Sequence, residues 1–227
     1  MTLGRRVTAE AVATAFLLAA VVGSGIMGEN LAQGNDAIAL LANTIATGAA
    51  LVALILAFGP ISGAHMNPLV TAADAWRGKL AWREVPLYIG AQVVGAYAGV
   101  AAAHGMFEKP FFFASQHARA GWPLLWSEMI AAFGLLFIVL SVSRSRPSAV
   151  PYAVGAYITA AYWFTASTSF ANPAVTLGRA ASDTFAGIRP DDVAGFIAAQ
   201  IVGAVAALLL FRWSHGKPAR GTAHVDE

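Results

Sequence analysis

The chain has 227 residues, of which 58% are hydrophobic and 11% are charged, and its mean hydropathy is +0.63. Soluble domains carry roughly a quarter charged residues, so this composition argues against an ordinary soluble protein. The net charge is +2 without a basic cluster and cysteine is absent, so we expect neither a nucleic-acid partner nor disulfides, thiolate metal sites or thiol catalysis.

Apolar stretches long enough to cross a hydrocarbon layer about 30 Å thick recur along the whole chain. They cover about residues 8–28, 37–58, 85–106, 123–143, 150–170 and 193–213. The first follows Arg5 and Arg6 and is longer than the apolar core of a signal peptide, so we interpret it as a span. We therefore predict an all-α membrane protein with six transmembrane helices in a single domain over residues 1–227.

The basic residues predict the orientation of these spans. If both termini are cytoplasmic, the outer side carries only four of the 14 basic residues, which satisfies the positive-inside rule. Those four are Lys109, Arg119, Arg179 and Arg189. We expect a multi-pass protein of the plasma membrane, in this case a bacterial inner membrane, with membrane lipid as a partner. The polar tail, residues 214–227, contains Gly and Pro and is predicted to be disordered.

Two shorter apolar segments interrupt the series, one before the third span and one before the sixth. They begin at Asn67-Pro68 and Asn172-Pro173, and each runs for about ten to twelve residues before a charge appears. As helices they would be about 15–18 Å long, enough to cross half a bilayer. Asparagine is a good helix cap and proline suits the first helical position, so we predict two re-entrant half-helices.

The two halves of the chain resemble each other. TAEAVATAFLL around Glu10 matches WSEMIAAFGLL around Glu128, the Asn-Pro segments match, and AQVVGAYAGVAAA matches AQIVGAVAALLL. Each half, about 8–106 and about 123–213, contains three spans, so the second half enters the membrane from the opposite side. Inverted repeats with broken helices at corresponding places mark a solute site near the midplane.

The predicted meeting of two helix starts has chemical consequences. Each helix N-terminus carries about half a positive elementary charge, so cations are repelled there. The Asn67 and Asn172 amides can donate to the oxygen of water or a polyol. Unpaired carbonyls of the preceding GAHM and SFA segments would supply acceptors along the same path. We predict passive conduction of small uncharged solutes, without catalysis, cofactor or metal.

These features together resemble the aquaporin (major intrinsic protein) family, and the resemblance covers nearly the whole chain. The matching features are SGAHMNPLVT with Asn67-Pro68-Leu69, FANPAVT with Asn172-Pro173-Ala174, the paired Glu10 and Glu128, and the AQ-x-x-G starts of the third and sixth spans. The resemblance implies pore asparagines at Asn67 and Asn172, a pore-lining His65, and a homotetramer with one pore per subunit. Leu69 departs from the family's usual alanine, which is expected to change the packing beneath the asparagines.

The family's outer constriction maps, by counting from the motifs, to Thr47, Ala160, Ser169 and Val175. Water-selective members usually have an aromatic residue at the position of Thr47 and an arginine at the position of Val175. They often have a histidine at the position of Ala160. The exchange predicts a wider opening without a fixed charge. The resemblance implies an aquaglyceroporin-like channel for water, glycerol-like polyols and uncharged metalloid hydroxides such as arsenite or methylated arsenicals. Some bacterial members with an apolar residue in place of the arginine are linked to arsenic resistance.

Two further features near this constriction have competing interpretations. Arg179 lies four residues after Val175, one helical turn further out, and could act as a displaced filter charge over the mouth. We favour instead a surface arginine or one paired with Asp183. Aromatic residues follow Ala160 and could narrow the pore, but an interfacial belt or helix packing is favoured. They are Tyr162, Trp163 and Phe164.

Glu10 and Glu128 are ionisable groups inside spans, which suggests function. Their symmetric placement favours a structural role, in which they accept hydrogen bonds from the re-entrant loops, over proton transfer. His65 could be a packing histidine, but its place two residues before Asn67 favours pore lining. The remaining histidines lack metal-ligand spacing.

Four other classes compete with a solute channel of this kind. A water-selective aquaporin would share every feature except the constriction. A secondary transporter also uses inverted repeats, but no acidic coupling site lies beside the Asn-Pro breaks. A formate or nitrite type channel lacks paired Asn-Pro-Ala motifs, and an intramembrane enzyme needs a nucleophile and base or metal ligands that are not visible here.

Overall fold

The computed structural model describes residues 1–216, and its regular secondary structure within that range is helical. The α-helices are α1 (Leu3–Ala32), α2 (Asp36–Ser62), α3 (Pro68–Trp76), α4 (Val85–Met106), α5 (Trp122–Ser145), α6 (Val150–Phe164), α7 (Pro173–Arg179) and α8 (Pro190–His215). Short 3-10 turns, Trp82–Glu84 and Pro147–Ala149, precede α4 and α6. Of the predicted disordered tail, Ser214 and His215 belong to α8, and residues 217–227 lie outside the described part.

Five of the helices are long and apolar enough to cross a membrane, namely α1, α2, α4 with its preceding turn, α5 and α8. The fifth predicted span, residues 150–170, is wrong in length, because α6 ends at Phe164 after 15 residues. Thr165 is extended, and Thr168 and Ser169 have left-handed backbone conformations, with φ of 60° and 49°. The apolar run that looked like the end of a helix therefore forms an irregular loop leading to α7.

The half-helices α3 and α7 begin near the centre of the bundle and run to opposite faces. At the end of α3, Arg77 Nη1 donates to Ser143 Oγ at 3.0 Å, close to the end of α5. At the end of α7, the Ser115 amide donates to Ala180 O at 3.0 Å. We call the side with the N-terminus and Arg77 the terminal face, and the side with residues 107–121 the loop face. This arrangement confirms the inverted repeat.

The two AQ-x-x-G segments give the repeat its closest helix contacts. A Cβ atom at Gly95 of α4 would overlap the carbonyl oxygen of Ala11 in α1, and one at Gly203 of α8 would overlap that of Met129 in α5. Glycine lets these backbones touch where lipid offers no hydrophobic drive for helix association. The contacts hold α4 against α1 and α8 against α5 in equivalent ways.

The Gly95→Ala and Gly203→Ala substitutions should each destabilise the protein by about 1–3 kcal/mol, because the added methyl group has backbone rather than a movable side chain in its way. Gly90→Ala is the matched control in α4, since a Cβ there meets nothing within 4 Å. It should leave stability unchanged or raise it by up to about 1 kcal/mol. Thermal unfolding in detergent measures both, and equal tolerance of all three changes would contradict the packing argument.

Candidate functional site

Glu10 of α1 is fully buried and anchors the loop that precedes α3. Its Oε1 accepts hydrogen bonds from Ser62 Oγ at 2.7 Å and from the His65 amide at 2.9 Å. Its Oε2 accepts from the Met66 amide at 2.8 Å and from Gln92 Nε2 at 2.8 Å. Each carboxylate oxygen therefore accepts two hydrogen bonds.

Glu128 of α5 repeats this arrangement in the second half and is also fully buried. Its Oε1 accepts from Ser167 Oγ at 2.6 Å and from the Phe170 amide at 2.8 Å. Its Oε2 accepts from the Ala171 amide at 2.9 Å and from Gln200 Nε2 at 2.6 Å. The match between the halves thus extends from the sequence to individual hydrogen bonds.

The carboxylates hold backbone in a conformation that it would otherwise avoid. Several non-glycine residues of the two loops have positive φ, a state that costs of the order of 1–3 kcal/mol each. They are Ala64, Met66, Thr168, Ser169 and Ala171. Each carboxylate accepts four hydrogen bonds from the protein, so its acceptor capacity is used in holding the loop. The geometry therefore fits the predicted structural role of Glu10 and Glu128 rather than proton transfer.

Asn67 and Asn172 cap the two half-helices. Asn67 Oδ1 accepts from the Leu69 amide at 2.9 Å, and Asn172 Oδ1 accepts from the Ala174 amide at 3.0 Å and the Val175 amide at 3.3 Å. Pro68 and Pro173 follow at the first helical positions. Leu69, the departure from the usual alanine, is buried in the main hydrophobic core.

The same asparagines join the two loops to each other. Asn67 Nδ2 donates to Ala171 O at 2.8 Å, and Asn172 Nδ2 donates to Met66 O at 2.7 Å. Each amide group has two N–H donors, and each of these bonds uses one. One N–H of each asparagine is therefore left without a partner in the described part of the chain, at the point where the half-helices meet.

A narrow cavity with a volume of about 90 Å³ runs past this meeting point. Its walls are mostly aliphatic, and the polar exceptions include most of the predicted site. Predicted residues that line it are Thr47, His65, Asn67, Ser169, Asn172, Val175 and Arg179. The structure thus brings together residues from α2, α7 and both loops that are far apart in the sequence.

Ala160 is the exception among the predicted filter residues, because it is exposed on the outside of α6. Val154, Ile158 and Tyr162 line the cavity instead, at the four-residue spacing of one helix face. Tyr162 Oη lies 3.4 Å from Thr47 Oγ1. The motif spacing predicted Ala160 at the constriction, but α6 ends at Phe164 and the loop that follows is irregular, so this spacing does not fix which residue of α6 faces the cavity.

The prediction that Tyr162 belongs to an interfacial aromatic belt or packs between helices is also wrong. The next two residues, Trp163 and Phe164, fit the interfacial belt. Trp163 is 49% exposed and Phe164 is 56% exposed, as expected of side chains that face lipid. Tyr162 is 3% exposed and narrows the constriction on the α6 side. The four-residue spacing along α6 was the signal in the sequence that could have identified it.

His65 lines the cavity on the terminal-face side of the asparagines. Its Nδ1 lies 3.1 Å from Thr71 Oγ1, and its Nε2 lies 3.2 Å from Asp74 Oδ2. The Thr71 hydroxyl donates its one hydrogen to Asn67 O at 3.1 Å, so toward His65 it acts as an acceptor. Both ring nitrogens therefore lie beside oxygen acceptors, which hold the imidazole ring in a fixed orientation at the cavity wall. Sequence reasoning did not single out Asp74.

Arg179 lies at the opposite end of the cavity, and the prediction of a surface or Asp183-paired arginine is wrong. It is 2% exposed, its Nε donates to Ala186 O, and its guanidinium carbon lies 3.3 Å from the centroid of the Phe170 ring. Asp183 instead accepts a hydrogen bond from the Gln116 amide at 2.8 Å. The short loop after α7 turns back over the helix end, and this folding buries the side chain.

Arg119, which was predicted only as a basic residue on the outer side, supports the same region. It is 8% exposed and donates to Gly187 O at 2.7 Å and to Ser167 O at 3.2 Å. Its guanidinium carbon lies 5.0 Å from the Phe170 centroid. Arg119 therefore ties the 107–121 loop to the chain that carries Ser167 and Phe170.

Comparisons with known proteins agree with this geometry. The sequence profile named "Major intrinsic protein" matches residues 1–169. Aquaglyceroporin AqpS of Rhizobium meliloti (strain 1021) is 56% identical over 212 residues, covering 93% of this chain and 90% of that protein. Aquaporin NIP1-3 of Oryza sativa subsp. japonica is 35% identical over 183 residues, covering 78% of this chain and 63% of its own length. The X-ray structure of the aquaglyceroporin from Plasmodium falciparum has the same fold, with a TM-score of 0.74 at 21% identity, over 93% of this chain and 95% of that one.

The Glu10→Gln and Glu128→Gln substitutions should each destabilise the protein by roughly 3 kcal/mol, because an amide N–H would face buried donors. By symmetry the two losses should be similar. Glu29→Gln at an exposed position is the control and should have no measurable effect. Thermal unfolding in detergent compares the three variants, and a stable Glu128→Gln protein would argue against the anchoring role.

Proposed function

Because the chain belongs to the major intrinsic protein family, whose members are membrane channels and not enzymes, we propose that it is a passive channel for small uncharged solutes. One observation carries the proposal. Asn67 and Asn172 line one narrow cavity, and each keeps an amide N–H that has no protein partner. These donors lie at the meeting point of two helix starts.

The electrostatics of that meeting point favour neutral solutes. The N-termini of α3 and α7 converge there, and each contributes about half a positive elementary charge. A cation would lose its hydration and meet repulsion, whereas a neutral molecule can accept hydrogen bonds from the asparagines. The carbonyls of Gly63, Ala64 and His65 accept no hydrogen bond from donors within residues 1–216, so they are available to a solute.

The solutes we propose are water, glycerol-like polyols and uncharged metalloid hydroxides such as arsenite or methylated arsenicals. Two observations support this range. A relative that is 56% identical is named an aquaglyceroporin, and Val175 provides an apolar wall where water-selective members of the family have a charged one. Arsenite at neutral pH is an uncharged trihydroxide of roughly glycerol's shape.

The chain is an integral membrane protein, and we propose the bacterial inner membrane with the terminal face in the cytoplasm. The terminal face carries most of the basic residues of the described part, which supports this orientation. Large apolar side chains are exposed around the bundle, as expected of a surface that meets lipid and neighbouring subunits. We propose a homotetramer in which each subunit has its own pore.

A water-selective channel is the second candidate, and one observation favours it. Tyr162 narrows the constriction where the sequence predicted an alanine, and its hydroxyl lies 3.4 Å from Thr47 Oγ1. The ratio of glycerol to water permeability in proteoliposomes separates the two candidates.

The Val175→Arg substitution should lower glycerol flux at least about tenfold and water flux by a smaller factor, because a guanidinium would fill the apolar side of the constriction. Val175→Leu is the matched control, since it adds bulk without charge, and it should have a weaker effect. Stopped-flow light scattering measures both solutes, and uptake assays extend the test to arsenite and methylated arsenicals. Unchanged glycerol flux in Val175→Arg would show that the constriction is assigned wrongly.

The initial glycerol flux should rise in proportion to the glycerol gradient and should not depend on an ion gradient. The reason is that the acids near the loops are already engaged, since Glu10 and Glu128 each accept four hydrogen bonds and Asp74 contacts His65 and Arg77. Flux assays over a range of concentrations, with and without proton and sodium gradients, make the comparison. Saturation together with ion coupling would indicate a secondary transporter instead.

A further inference from the structure

The guanidinium of Arg179 lies at the junction of two cavities. The central cavity ends there, and a second cavity of about 520 Å³ opens from the same place toward the loop face. Among the described residues, Arg179 is the one that lines both. A solute that moves from one cavity to the other therefore passes this side chain.

We propose that Arg179 is the specificity-determining cation of this channel. Arg179 lies one helical turn beyond Val175 and forms a binding site together with Ser169 and Tyr162. This site binds neutral solutes that have at least two hydroxyl groups. The charge of Arg179 also excludes cations from the junction. The inference rests on the proposed channel function.

Two unpartnered polar atoms mark the site. Arg179 Nη1 and Ser169 Oγ are both buried, and neither has a hydrogen-bond partner in the described structure. A buried donor without a partner is costly, and a charged one more so, which makes such atoms candidates for contact with a ligand. Both residues line the central cavity, as does Tyr162. A solute hydroxyl can accept from Arg179, while a second hydroxyl bonds to Ser169.

The guanidinium is held in place from two sides. Its Nε donates to Ala186 O, and its guanidinium carbon lies over the ring of Phe170, 3.3 Å from the ring centroid. Arg119 in turn ties the Phe170 loop to neighbouring carbonyls. A donor fixed in this way loses little conformational entropy when a solute binds.

The charge of Arg179 is not neutralised by an ion pair. The ion pairs of residues 1–216 are Arg6–Glu84, His65–Asp74, Arg77–Asp74 and Arg189–Asp192. The positive field also reaches the loop face, where burial and the guanidiniums of Arg119 and Arg179 lower the pKa of His117. The outer cavity is also lined by Glu29, Asp36 and Asp183, so a cation can enter it, but at the junction it meets the positive charge of Arg179 before it reaches the asparagines.

Ser169→Ala tests the solute site without disturbing the fold, because the Ser169 hydroxyl makes no protein hydrogen bond. It should leave thermal unfolding unchanged and lower glycerol flux about fivefold, with a smaller effect on water, since one neutral hydrogen bond to the solute is lost. Ser214→Ala is the matched control outside the pore and should change neither flux. Unchanged glycerol flux in Ser169→Ala would overturn the binding site.

Arg179→Gln and Arg179→Lys test the charge, with Arg189→Gln as the control for a partly exposed arginine outside the central cavity on the same face. Arg179→Gln should raise proton and sodium leak at least about tenfold, measured with entrapped dyes under an imposed potential, while Arg179→Lys and Arg189→Gln keep the leak low. The double variant Arg179→Gln with Val175→Arg returns a charge to the constriction and should restore exclusion.

The outcomes separate the two proposals. If wild-type vesicles conduct neither water nor glycerol, the proposed function fails. If wild type conducts both and Arg179→Gln conducts water without added leak, the channel stands and the role of Arg179 is overturned. If Arg179→Gln does not fold, the Arg179→Lys protein must still exclude cations and Ser169→Ala must still lose glycerol flux.

Discussion

Two buried carboxylates make irregular backbone possible at the centre of this bundle. In a membrane, unpaired N–H and C=O groups are tolerated only where protein or a water-filled path receives them. Glu10 and Glu128 receive the amides of the residues that precede each half-helix, and they keep non-glycine residues at positive φ. With those amides satisfied, the carbonyls on the other side of each loop are left for a solute. The conducting path depends on this division of the backbone.

The polar groups along the path form an ordered series. Arg179 lies at the loop-face end, the amides of Asn67 and Asn172 lie at the centre, and His65 with its Asp74 contact lies toward the terminal face. Donors recur at each level, and apolar side chains separate them. Such a series replaces the hydration of a neutral molecule stepwise, whereas the two helix starts and Arg179 repel cations.

The organisation of the fold was predictable because it depends on local rules. Long apolar stretches predict spans, Asn-Pro predicts a capped helix start, and an odd number of spans per repeat forces inversion. The chief error in the fold lay at the end of α6, where an apolar loop reads like more helix. Hydropathy reports burial in a membrane, and it does not distinguish a helix from a loop that is buried by protein.

The sequence by itself determined the family, the two pore asparagines, the paired acids and the valine at position 175, because each is a residue at a fixed place in a repeated pattern. The tertiary structure decided which side chains meet at the constriction. Tyr162, and not Ala160, lines the cavity on the α6 side. Arg179, predicted at the surface, is buried and lines the path. The physical reason is that a side chain's direction depends on where its helix ends and on how the following loop folds back over it. Neither is encoded in the spacing of a motif.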